Sequence, residues 1–284
     1  MTRTLIIIPT KDRPEFINTM VQNLIVQRGN FDLFIADMST NPNLLKDNWF
    51  LNKALLRLQH MGHSWTVVRV EGHNQLFGYQ AGLNFAEVRG YEFGVASDDD
   101  IIFDLEWVRD AMMDMAHPER ACVAGMTLLP WMSDESQICP DWYLENPEYK
   151  GKLDKDCRYY HCTLIPPEPP TDKEGRYTRP LVQEFEQLFG PFMFRVDEFV
   201  KVGGFPLFLS PLGFRGEMWP MVASFFDGMK LVRDPDLYCW HYSASHGGLK
   251  LVQGEERERG LKEDTALWEE FVRRRQPRVV DSRL

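Results

Sequence analysis

Short apolar segments of β type alternate with segments of helical spacing through the first half of this chain, and that alternation constrains the fold more than any other feature of the sequence. Residues 4–8 form a continuous apolar run ended by Pro9, and Pro14 suits the first turn of a helix reaching about Gln27. A second short strand over residues 31–36 ends at Asp37 and the polar turn Ser39-Thr40-Asn41-Pro42. Spacing then predicts a helix over 44–58, a strand over 65–70, a helix over 78–88 and a strand over 91–96, followed by a helix over 107–115 and a strand over 121–128. Strands that are apolar throughout and separated by helices must be buried on both faces. The expected architecture is therefore α/β, a mostly parallel central sheet flanked by helices.

This regularity stops after residue 128. Residues 130–180 are rich in proline and aromatics, among them Trp131, Trp142, Tyr143, Tyr159 and Tyr160, and a stretch of that length without periodicity is expected to be functional, separately folded or partly disordered. Beyond it the sequence predicts strand material over 181–196, a helix over 214–226 bent at Pro220, a strand over 231–241 interrupted by Pro235, and a charged amphipathic helix over 255–275.

Composition narrows the class. No apolar run approaches the ~18 residues of a membrane helix, and no basic segment followed by an apolar one opens the chain. The five cysteines, Cys122, Cys139, Cys157, Cys162 and Cys239, include no CxxC pair and read as reduced thiols, so the expected location is the cytoplasm, or the host cytoplasm for a viral protein. A formal net charge of −10 speaks against a broad basic surface for nucleic acid. It is compatible with a phosphorylated ligand where a divalent cation sits between the two and reverses the local charge.

The feature richest in chemistry is Asp98-Asp99-Asp100, placed where the fourth strand ends. Three adjacent carboxylates repel one another unless solvent or a cation screens them. Strand alternation would turn Asp98 and Asp100 to one side and Asp99 to the other. Hard oxygen ligands of this kind suit Mg²⁺ or Mn²⁺, and the carboxyl ends of the strands are where open α/β sheets bind ligands. An Asp-rich turn leading into the next helix is the plainer reading.

The order of motifs resembles that of the family 2 glycosyltransferases and the wider GT-A fold. Ile6-Ile7-Ile8-Pro9-Thr10-Lys11-Asp12-Arg13-Pro14 is similar to their first strand and nucleotide loop, and Phe34-Ile35-Ala36-Asp37 to their second strand with its base-contacting aspartate. Asn74 to Gly78 resembles their helix start, Val95-Ala96-Ser97-Asp98-Asp99-Asp100 their DxD motif, Val202-Gly203-Gly204-Phe205 their GGF turn, and Phe214-Arg215-Gly216-Glu217 their acidic acceptor segment. Tyr238-Cys239-Trp240-His241 resembles their closing strand and its metal-binding histidine.

The resemblance spans about residues 4–241. It implies a single GT-A catalytic domain, with a Rossmann-like nucleotide-sugar half to about residue 100, an acceptor half over about 101–245 carrying the 130–180 insertion, and a C-terminal helix and tail over 250–284. It further implies a hexosyl- or pentosyltransferase that moves a sugar from a nucleoside-diphosphate sugar, a UDP-sugar first, to an acceptor hydroxyl with inversion. Mn²⁺ or Mg²⁺ would be held by Asp98, Asp100 and His241, and the donor by Pro9, Thr10, Asp12, Arg13, Asp37, Asn74, Gly78, Asp98 and Asp99, with Glu217 as catalytic base.

The chain departs from the family pattern where Glu217-Met218 replaces Glu-Asp, where the family's usual arginine after residues 216–228 is lacking, and across the insertion. The acceptor stays open among a glycan, a protein and a modified nucleic acid such as hydroxymethylated phage DNA. Two other readings share part of the pattern. A sugar-phosphate nucleotidyltransferase would also use acidic metal ligands, but its first loop carries glycine, which Pro9-Thr10-Lys11-Asp12-Arg13-Pro14 lacks. A catalytically inactive carbohydrate-binding relative would keep the aromatic residues without the metal chemistry. His246 in a glycine-containing loop and the Arg273-Arg274-Arg275 run are candidate phosphate contacts; their plainer readings are a flexible loop and cations at a helix C-terminus.

Overall fold

The structure is a computed structural model of the chain and describes residues 3–128, 163–164, 190–241 and 254–275. The first half runs β1 (Thr4–Thr10), α1 (Pro14–Leu24), β2 (Phe31–Asp37), α2 (Trp49–His60), β3 (Trp65–Arg69), α3 (Leu76–Arg89) and β4 (Phe93–Ala96). The second half runs β5 (Ile101–Phe103), α4 (Trp107–Asp114), β6 (Arg120–Leu128), β7 (Thr163–Leu164), β8 (Phe192–Arg195), α5 (Val196–Lys201), α6 (Met218–Phe226), β9 (Lys230–His241) and α7 (Gly254–Arg275).

One sheet joins the two halves in the order β3-β2-β1-β4-β8-β6-β9-β5, with β7 also on β9. Among the described residues six of its nine strands, β1, β2, β3, β4, β6 and β9, share one direction, while β8, β5 and β7 oppose them. The expected mostly parallel sheet is thus present. Alternation along β1 sends Ile6 and Ile8 to the core under α1, α2 and α4, and Leu5 and Ile7 to the core under α3, α5, α6 and α7. Helices on both faces exclude water from the central strands β1 and β4, which are buried along their whole length, whereas the edge strand β3 is partly exposed.

Several boundaries differ from the sequence reading for local reasons. α2 begins at Trp49, not residue 44, because Asn48 caps it by accepting a 2.9 Å bond from the Leu51 amide. α6 begins at Met218, after the turn containing Gly213 and Gly216, and runs on through Pro220. As the third helical residue Pro220 gives up only an amide that has no intrahelical partner. β9 runs through Pro235, which falls where the β6–β9 register shifts between Ala124 and Met126, a place that tolerates a missing donor. The three-residue β5 and the short α5 had no periodic signal long enough to read. Of the strand predicted over 181–196, Phe192–Arg195 is seen and residues 181–189 lie outside the described residues, as does nearly all of the 130–180 insertion.

Close helix–sheet approach fixes α3. A Cβ added at Gly82 would lie 2.3 Å from Cγ2 of Ile7, and one at Gly78 would lie 2.8 Å from Cβ of Pro9. Gly82→Ala is therefore expected to cost about 2 kcal/mol by overpacking, measured as a lower midpoint of urea unfolding with an unchanged slope; an unchanged midpoint would show that α3 shifts freely.

Candidate active site

The carboxyl ends of β1, β2 and β4 lie side by side, and they bring most of the residues singled out in the sequence to one edge. Thr10 ends β1, Asp37 ends β2, and Asp98, Asp99 and Asp100 follow β4 directly. The triplet is not strand: Asp99 and Asp100 form a turn that leads into β5. β5 then pairs antiparallel with the end of β9, and the register sets Ile101 opposite His241. That pairing carries His241 to Asp100, with Nε2 3.0 Å from Oδ1.

Ligand atoms of Asp98, Asp100 and His241 all lie within 4.8 Å of one another. Two carboxylates and an imidazole make a donor set suited to Mn²⁺ or Mg²⁺, with the nitrogen favouring Mn²⁺. Asp98 and Asp100 do converge, as the sequence suggested, although a turn brings them together and not strand alternation. Asp99 points elsewhere. It accepts a 2.6 Å hydrogen bond from the Thr10 hydroxyl and pairs with Arg13 Nη1 at 3.1 Å, while Arg13 Nη2 reaches Asp100 Oδ2 at 2.5 Å. Arg13 thus clamps two of the three aspartates from the β1 loop.

The electrostatics follow from crowding. Burial pushes the Asp99 carboxyl up to about 7, against the pull of Arg13 and Thr10. Burial and the neighbouring Asp100 charge also raise Asp98, opposed by a 2.9 Å hydrogen bond from the Tyr79 hydroxyl. Burial lowers His241, yet its hydrogen bond to Asp100 and the surrounding carboxylate charge outweigh this and leave it raised. Burial is the largest cause for both aspartates, with mutual carboxylate repulsion adding to it, and a divalent cation among Asp98, Asp100 and His241 would offset that repulsion.

The remaining candidates divide by what their side chains do. Asp37 accepts from the Ser39 amide at 2.9 Å and lies 3.4 Å from Arg69 Nη1. Asp12, at a left-handed φ of 56°, accepts from the Thr40 amide and hydroxyl, both at 2.7 Å, and so ties the β1 loop to the β2 loop. Asn74 donates to the Ser210 carbonyl at 2.8 Å and accepts from the Leu76 amide at 3.1 Å. Gly78 and Pro9 meet each other as packing partners. Arg273, Arg274 and Arg275 close α7, where Arg274 pairs with Glu270 and Arg275 lies 3.9 Å from Asp227. His246 lies outside the described residues.

Glu217 sits immediately before α6 and its side chain does not cap that helix. It accepts a hydrogen bond from the Gln75 side chain, and burial together with the Asp98 charge pushes its carboxyl up to about 7. Tyr79, which donates to Asp98, has its own hydroxyl pushed well up by burial and by the charges of Asp98 and Glu217. Tyr79 and Gln75 were not picked out from the sequence. Their spacing of one helical turn on α3 is the signal that could have found them.

No protein-family model matches the sequence, and no curated protein is similar to it in sequence. Solved structures are similar in fold. S. aureus TarS 1-349 in complex with UDP-GlcNAc superposes with a TM-score of 0.58 at 13% identity, over 91% of this chain and 61% of that one. Mannosyltransferase PcManGT from Pyrobaculum calidifontis, in complex with GDP-Man and Mn²⁺, does so with a TM-score of 0.55 at 14% identity, over 94% of this chain and 63% of that one. A longer S. aureus TarS chain gives 0.55 at 13% identity, over 89% of this chain and 38% of that one. This chain therefore spans less than two thirds of each of these neighbours. They are GT-A-like glycosyltransferases, and the present fold is of the same GT-A type.

Arg13 carries the charge balance of two nearly inaccessible carboxylates, Asp99 at 3% and Asp100 at 1% exposure. Arg13→Gln is expected to lower unfolding free energy by about 3 kcal/mol, because it leaves buried charge uncompensated; chemical denaturation at neutral pH reads the effect, and a loss below about 0.5 kcal/mol would show the clamp to be incidental.

Proposed function

We propose that this protein is a divalent-metal-dependent glycosyltransferase that moves a sugar from a nucleoside-diphosphate sugar to an acceptor hydroxyl. The observation that carries this reading is the meeting of Asp98, Asp100 and His241 at the carboxyl edge of β4, beside the β1 and β2 loops, with Glu217 close enough for the Asp98 charge to raise its carboxyl. The nucleotide sugars bound by TarS and PcManGT support it, as does the Mn²⁺ in the latter.

In this reading the nucleotide lies over the ends of β1 and β2. Asp37, held by Ser39 and Arg69, faces the base, and the linked loops containing Asp12 and Thr40 frame the ribose and phosphates. A cation held by Asp98, Asp100 and His241 would neutralise the donor diphosphate and favour its departure. Arg13 and Thr10 fix Asp99 and with it the turn that presents Asp98 and Asp100. Glu217 takes the proton from the acceptor hydroxyl as that oxygen bonds to the anomeric carbon. The bond from that carbon to the diphosphate breaks on the opposite face, so the product is inverted and nucleoside diphosphate is released. The elevated Glu217 carboxyl suits a base working near neutral pH. The free buried thiol of Cys122 fits a reducing compartment such as the cytoplasm. Among the described residues no helix is long and apolar enough to cross a membrane.

The test is release of nucleoside diphosphate from UDP-GlcNAc or GDP-mannose with Mn²⁺, with water as the acceptor. Asp100→Ala is expected to abolish Mn²⁺-dependent release, and Glu217→Gln to retain nucleotide binding while slowing release about 10²–10⁴-fold. Wild-type rates in either variant would overturn the corresponding role, and release of pyrophosphate from a nucleoside triphosphate and a sugar phosphate would point to a nucleotidyltransferase. Because the base must be a carboxylate, turnover is expected to fall as pH drops through about 7; a rate flat from pH 5 to pH 8 would remove Glu217 from the mechanism.

A further inference from the structure

Glu217 belongs to a loop that has little secondary structure of its own, yet the loop is anchored on both sides. Ahead of Glu217, His73 Nε2 meets the Leu209 carbonyl at 2.9 Å and Asn74 holds the Ser210 carbonyl. The deepest anchor comes from α7. Asp264 has 0% exposure. One of its oxygens accepts from the Ser210 amide at 2.9 Å, and the other accepts from the Ser210 hydroxyl at 2.8 Å and the Phe214 amide at 2.9 Å. Gly260, one turn earlier, lets the helix come this close, since a Cβ there would lie 2.8 Å from Ser210 Oγ.

Behind Glu217 the same helix grips again. Trp219 stacks on Phe271 with ring centroids 4.0 Å apart and meets Trp268 edge-on at 5.9 Å. Gly260, Asp264, Trp268 and Val272 are the buried positions of α7 and recur every fourth residue. α7 therefore presents one continuous ridge to the segments on either side of Glu217. A buried carboxylate is expensive to maintain. Here it is spent on two backbone amides and a hydroxyl in the loop that ends at the proposed base, where an apolar residue would have packed the helix as well.

We propose that Asp264 is a positioning residue for Glu217: through Ser210 and Phe214 it holds the loop in the shape that aims the Glu217 carboxyl at the acceptor, and the C-terminal helix is thereby part of the active site. This inference rests on Glu217 serving as the base. Asp264→Asn preserves size but offers one acceptor oxygen where two oxygens now take three hydrogen bonds. Ser210→Ala removes one of those bonds and leaves the Asp264 charge and both amides in place.

The experiment compares the full-length wild type, Asp264→Asn and Ser210→Ala. It measures nucleoside diphosphate release from UDP-GlcNAc or GDP-mannose with Mn²⁺, the Kd of UDP or GDP with Mn²⁺, and the titration of Glu217 by carboxyl-carbon NMR. The groups facing Glu217 are Gln75, Asp98 and Tyr79, and both substitutions leave all three in place. The expected result is a kcat for release about 30-fold lower in Asp264→Asn and about 5-fold lower in Ser210→Ala. The nucleotide Kd should stay within about twofold of wild type, and the Glu217 titration should move down toward the ordinary carboxylate range. A positioning role is overturned if kcat and the Glu217 titration stay at wild-type values while only the melting temperature falls. It is equally overturned if nucleotide Kd weakens in step with kcat. Should Asp264→Asn fail to fold, Ser210→Ala carries the same comparison. If wild type releases nucleotide from neither donor, the transferase reading fails, and the NMR titration alone still decides whether Asp264 sets the Glu217 environment.

Discussion

Three aspartates share one edge of the sheet, and Arg13 and His241 are set against them. Much of the remaining architecture can be understood as what it takes to hold that charge in place. β1 and β4 must be neighbours so that Thr10 and Arg13 reach Asp99. β5 must turn back onto the end of β9 so that His241 reaches Asp100. α3 must lie tightly on β1, which Gly78 and Gly82 allow, so that Tyr79 reaches Asp98. Any one of these contacts is worth about 1 kcal/mol. Together they prevent like charges from relaxing apart.

The first half of the fold was legible in the sequence because its strands are apolar and its helices have regular spacing. β1 to β4 and the helices between them followed from periodicity, with errors at boundaries set by single side chains such as the Asn48 cap. The convergence of Asp98 and Asp100 was readable, and the family resemblance named His241 beside them; what could not be read was the route, because His241 arrives through β5, whose three residues carry no period. Asp264 was invisible for a different reason. In the run Glu263-Asp264 of a strongly charged helix it looks like any solvent-facing acid, and only the four-residue recurrence of Gly260, Asp264, Trp268 and Val272 marks it as interior. Periodicity finds apolar faces well; it has no means of flagging a polar residue placed deliberately within one.

The two halves also differ in how they fix their functional groups. In the first half the groups sit at strand ends, positioned by sheet register. In the second Glu217 sits in a loop, positioned by hydrogen bonds from the segment leading into α3 and from α7 and by the aromatic stack of Trp219 on Phe271. Strand ends tolerate little variation in position. A loop held by side chains can be reshaped by a few substitutions, so the surroundings of Glu217 can change while the strand-end geometry stays constant.

The strand order has a consequence for how the molecule is made. β8 separates β4 from β6, although it is synthesised long after both. While the chain emerges from the ribosome, β4 has its β1 side covered and its other side bare, a row of unpaired amides and carbonyls waiting for Phe192–Arg195 to arrive. The two halves therefore cannot mature as independent units: the last-made segments complete the middle of the sheet. The nascent protein passes through a stage in which a hydrophobic edge must avoid other chains, and the four-residue length of β4 keeps that edge small.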